Sequence, residues 1–168
     1  MQRRTLLLAA APTVLPGCAV SEVKTFPTVA SAMKAIEGLA TGWRSTGAWT
    51  LAQMLEHAAQ SVEYSLRGFP EMKSGLFRAT VGRAAFAVFD SRGQMDHGLA
   101  EAIPGAPPIA AGAALDAAIQ RAMKSLRDFE AHSGALAPHF AYGALDKAQF
   151  TRAHLMHLAN HWAEVVRA

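Results

Sequence analysis

Three histidines near the C-terminal end of the sequence, His154, His157 and His161, fall on one face of a helix read from Asp146 to Arg167. At about 100° per residue they occupy an arc of roughly 60°, and Phe150 lies inside the same arc. Spacing decides which of them could share an ion. Residues seven apart on a helix are separated by about 10.5 Å along its axis, whereas bonds from metal to imidazole nitrogen are about 2.1 Å. His154 and His161 therefore cannot bind one metal. His157 and His161 can, as an HxxxH pair, and His154 with His157 is the next choice. Two imidazoles do not make a stable site, so another element must supply a third ligand.

The remaining elements follow from apolar spacing. A first helix is expected from Thr28 to about Gly42, buried through Val29, Met33, Ile36 and Leu39. A second should run from about Trp49 to Arg67, with Leu51, Leu55, Ala58, Val62 and Leu66 as its stripe and Gly68 and Pro70 as its stop. Its flank of Thr50, Gln53, Met54, His57, Ser61 and Tyr64 is polar but uncharged. A third helical segment spans Lys73 to Phe89, with Gly82 as a weak point. Residues 90–112, rich in glycine and proline, form a long ordered loop, a candidate lid or pocket wall. A helix from Ala113 to about His132, a loop from Ser133 to Leu145 and the last helix, capped by Asp146, complete the chain. No run with strand periodicity appears. The expected architecture is all-α, an up-and-down bundle of four main helices with one shorter helix.

Within such a bundle, His57 is the best-placed third ligand, because facing helices are where core metal sites are built. Three neutral imidazoles suit zinc, nickel, iron or copper, zinc or nickel foremost, and leave a position open for water or substrate. The competing reading is that these are core or surface histidines satisfied by ordinary hydrogen bonds. His97 and His139, in loops beside glycine or proline, are read as solvated, with a place at a pocket mouth as the alternative. His132 is explained by the dipole of the helix it ends. Tyr64 could donate to a substrate, and Glu56 and Glu164 could orient an imidazole, although a backbone partner and solvent are the ordinary roles. The sequence holds no Ser/His/Asp pattern, phosphate loop or dinucleotide fingerprint.

Composition limits the alternatives. With 168 residues, 51% of them hydrophobic, the chain can bury one sizeable core. The formal charge of +3 falls to +1 without residues 1–17, which hold two of the 16 basic residues and none of the 13 acidic ones. No basic stripe interleaved with aromatics remains, which argues against a nucleic-acid partner. Cys18 is the only cysteine, so neither an internal disulfide nor a cysteine-based metal site can form.

Residues 1–18 have the layout of an export signal: Arg3 and Arg4, an apolar run from Leu6 to Leu15 too short to span a bilayer, then Pro16, Gly17 and Cys18. The end resembles a bacterial lipoprotein box, with Pro16 where the motif prefers a small residue, and the start resembles a twin-arginine signal. An exported protein, periplasmic or anchored to the membrane only through a lipidated Cys18, is the expectation. Residues 19–27 then read as a linker and 28–168 as the folded domain.

The placing of one histidine eight residues after Trp49, with an HxxxH in the last helix, resembles the ligand layout of the DinB-like (YfiT-like) superfamily of metalloproteins. More narrowly, AFAVFDSRGQMDHGL (85–99), IPGAP (103–107) and PHFAYGAL (138–145) look like the bacterial family of unknown function numbered 1569. The resemblance implies the bundle fold and the ligands His57, His157 and His161, with His154 an extra histidine beside them. It also implies a divalent metal that activates a thiol for S-transfer or a water for hydrolysis of a small-molecule substrate, and it allows a homodimer. From a different class, Cys18 and the lack of a carboxylate base near the histidines fit a non-catalytic envelope lipoprotein that binds a small ligand or partner. A structural bundle with chance histidines is the third reading.

Overall fold

The computed structural model describes residue 23 and residues 25–168. The expected signal with Arg3, Arg4 and Cys18, and most of the linker, lie outside the described residues. Those described are mostly helical, with five helices of nine residues or more: α1 (Val29–Glu37), α2 (Leu51–Arg67), α4 (Arg83–Arg92), α5 (Leu115–Ala131) and α6 (Lys147–Trp162). A single helical turn, α3 (Gly75–Phe77), leads into α4 through a π-helical stretch, Arg78–Gly82. None of these helices is long and apolar enough to cross a membrane.

Local chemistry fixes where the helices start. Thr28, Thr50 and Asp146 each accept a hydrogen bond from the backbone N–H three residues on, and Ser31, Gln53 and Gln149 reach back to the cap's own N–H. Two otherwise unpaired donors are satisfied at each start, which sets the first turn and hence the face every later residue presents. Helices α2 and α5 pack along most of their length, α1 lies against α5 and α6, and α6 against α2. Phe129, Phe150, Ile36, Leu39, Leu55 and Met156 are the largest side chains enclosed between them.

The structure corrects the last helix. It stops at Trp162 rather than Arg167, and Val165–Arg167 form a strand, β2, paired antiparallel with β1 (Trp43–Ser45). The adjacent Val165 and Val166 favour extended backbone, and Val165 is buried there while Arg167 lies over the Trp43 ring at 4.0 Å. Residues 43–45 are too short a run to show a period, so the pairing is a tertiary outcome. It ties the end of α6 to the segment before α2, bringing Trp49 onto the histidine face.

The first helix tightens after Glu37 into a 3₁₀ turn, Gly38–Ala40, short of Gly42. The expected long loop, 93–114 in the structure, folds back over the molecule. The Gln60 side-chain amide donates to the Pro107 carbonyl and the Asn160 amide to the His97 carbonyl, pinning the loop to α2 and α6.

Candidate metal centre

Helices α2 and α6 bring His57, His157 and His161 together across 100 residues of sequence. His57 Nε2 lies 3.0 Å from His157 Nε2, and His161 Nε2 lies 3.2 Å from the same atom. One ligand nitrogen from each ring falls within 4.8 Å of the others, so the three histidines could hold a metal ion. Donors in a tetrahedral site with bonds of about 2.1 Å are about 3.4 Å apart, close to the spacing seen. Three imidazole nitrogens crowded in this way repel unless a proton or a cation sits between them.

Burial adjusts these rings for such a role. His57 and His161 are almost wholly enclosed, and loss of solvent lowers their pKa to about 4 and about 3. His97 lowers both further, and the His57 charge adds to the effect on His161. His157 falls well below the ordinary value, first through burial and then through the neighbouring histidines. Neutral imidazoles keep the lone pair that metal binding needs. Trp49 packs on His57 with ring centroids 4.9 Å apart and stacks on His161 at 6.0 Å and 16°. With Nε2 of His57 turned to the cluster, its Nδ1 is buried without a hydrogen-bond partner among the described residues. On the Nδ1 side, packing against Trp49 takes the place of a hydrogen bond in holding that ring.

His154 does not join the cluster. Its Nε2–H donates to the Ser65 hydroxyl at 3.2 Å, since the Ser65 O–H is itself committed to the Val62 carbonyl at 2.6 Å. The ring lies on Phe150 and against the edge of Phe129.

Two loop histidines expected in solvent are elsewhere. His97, carried on the 93–114 loop, lies over the cluster, its ring centroid 4.9 Å from His157 and 5.6 Å from His161. Its Nδ1–H donates to the Gly98 carbonyl at 3.0 Å, leaving Nε2 as an acceptor. His139 is buried and stacks on Tyr142 at 4.2 Å and 7°. A loop histidine beside glycine or proline carries no signal that separates these outcomes, and only the fold back of each loop decides them. Glu56 does not orient an imidazole either; it pairs with Arg121 on α5, and the Glu164 carboxylate lies against Gly47. Tyr64 packs on Phe69.

A cavity of about 210 Å³ opens beside the cluster. His57 and His157 of the cluster line it together with His139 and His154, and Met95, His97 and Ile103 of the long loop complete the lining.

Fold and site together define a mostly helical protein in which three imidazoles, two buried and one half-buried, face one another beside a cavity. The chain belongs to the family described as Protein of unknown function (DUF1569), whose model matches residues 21–168. No curated protein and no solved structure matches it.

Proposed function

We propose that the protein is a metalloprotein of the DinB-like type, in which α1, α2, α5 and α6 form the bundle and His57, His157 and His161 hold one divalent transition metal, zinc or nickel. The convergence of three Nε2 atoms from two helices, at ligand spacing and beside a cavity, carries this reading. When bound, the metal would lower the pKa of a water or thiol and supply a nucleophile at neutral pH, the chemistry of hydrolysis or of thiol transfer.

The chain's own residues prepare the place for that chemistry. Burial keeps the three imidazoles neutral, so no proton competes for their lone pairs near pH 7. Trp49 shields one side of His57 and His161, which leaves the cavity side open to a small molecule. His97, with Nε2 free to accept, faces the cluster from the loop and could take a hydrogen bond from whatever occupies the open position.

Elemental analysis of the chain, purified without a polyhistidine tag, is the direct test. About one transition-metal ion per chain is expected, and a His57→Ala, His157→Ala double variant should lose it. A wild-type chain that carries no metal and takes up none on titration would sink the proposal.

A further inference from the structure

The cavity is also lined by His139, Phe140, Tyr142 and Lys73, which metal binding does not use. The loop His139–Gly143 closes on itself, with His139 N–H donating to the Gly143 carbonyl at 2.8 Å and Gly143 N–H to the His139 carbonyl at 3.1 Å. Inside this turn the backbone N–H groups of Ala141 and Tyr142 both donate to His139 Nδ1, at 3.1 and 3.2 Å. Nδ1 must therefore carry the lone pair, which puts the ring proton on Nε2. The stacked Tyr142 ring holds the imidazole plane.

His139 is only 8% exposed, and its Nε2, which makes no hydrogen bond among the described residues, is not shut off from solvent but opens to the cavity. A donor that opens only into a cavity takes its acceptor from whatever fills the cavity, water or a ligand oxygen. The ring lines the cavity, where a ligand oxygen could meet it.

Charge and shape narrow the ligand. Lys73, an exposed residue whose backbone N–H donates to the Phe140 carbonyl at 3.0 Å, lines the same cavity and forms no ion pair among the described residues. The other charged residue of the lining is Glu101, whose carboxylate folds against Gly98. Met95, Ile103 and Phe140 are apolar lining. At about 210 Å³ the space is below the roughly 300–1,000 Å³ of pockets for drug-sized ligands. We propose that this part of the lining is a carboxylate subsite, the oxygens held by His139 Nε2–H and the Lys73 ammonium, and that the protein binds a small carboxylic acid with a short apolar body. The reacting group of that acid would lie at the three-histidine cluster; only this last clause rests on the metal reading.

Sodium butyrate titrated into the full chain by calorimetry, with zinc and after chelation, tests the assignment. Saturable binding is expected in both states, weakened roughly tenfold or more in Lys73→Ala and in His139→Phe. His139→Gln, which keeps an N–H donor, should retain more affinity than His139→Phe. Butyramide, equal in size but uncharged, should bind roughly tenfold or more weakly. Equal binding of butyrate and butyramide, binding of neither, or an affinity unchanged in Lys73→Ala would overturn the subsite. Zinc content measured on the same samples separates the two ideas. Zinc held without butyrate binding defeats the subsite alone, and butyrate bound without zinc uptake defeats the metal reading alone.

Discussion

Four histidines enclosed in an apolar interior make the protein sensitive to acid through single residues. Burial lowers the pKa of His139 to about 3, with the His154 charge adding to it, and burial alone takes His154 to about 3. His57 and His161 are held at about 4 and about 3. The unfolded chain binds these protons near the ordinary value of 6.5, so between that pH and the folded values unfolding takes protons up. Stability is whole above about pH 6.5 and falls as the pH drops below it, by up to about 1.4 kcal/mol per pH unit for each histidine that titrates. The urea midpoint of the metal-free chain should therefore decrease clearly between about pH 7 and about pH 4.5. An unchanged midpoint would mean that these imidazoles are protonated in the folded state.

Among the elements, the π-helical stretch shows how a weak helix former serves the site. A Cβ at Gly82 would lie 1.8 Å from the Ala141 carbonyl oxygen, in the loop that orients His139. Only glycine lets the backbone of this stretch approach that turn so closely. The wider i→i+5 winding of Arg78–Gly82 is a local departure of a kind often found beside functional sites. Gly82→Ala must displace the 139–143 loop, at a cost of about 1–3 kcal/mol. Its butyrate affinity should fall while its zinc content holds, since α2 and α6 carry the proposed metal ligands. A variant with wild-type melting and wild-type butyrate affinity would show that the contact does not position His139.

For the molecule as a whole, the three-histidine cluster joins α2 to α6, which otherwise meet through less extensive packing than α2 makes with α5. An ion held there stabilises only the folded state, by about 4 kcal/mol when its free concentration is a thousand times its dissociation constant. Zinc should raise the melting temperature of the wild-type chain, chelation should reverse the rise, and the His57→Ala, His157→Ala variant should melt at the same temperature with or without zinc. A rise that persists in the variant would place the ion elsewhere.

Much of this was open to reading in the sequence. Apolar residues at three- and four-residue spacing, with Thr28, Thr50 and Asp146 as caps, determine the helices, because a helix repeats its face every few residues and its ends need local partners. The same repeat puts His157 beside His161 and takes His154 out of reach of the latter. What the tertiary structure decided lies in contacts with no local period. The pairing of β1 with β2 ends α6 early, the folding back of the 93–114 loop lays His97 over the cluster, and the turn at 139–143 buries His139 with its proton fixed on Nε2. Such contacts join residues distant in the chain through hydrogen bonds and packing that either partner could have made elsewhere, so the spacing of the residues alone does not carry them.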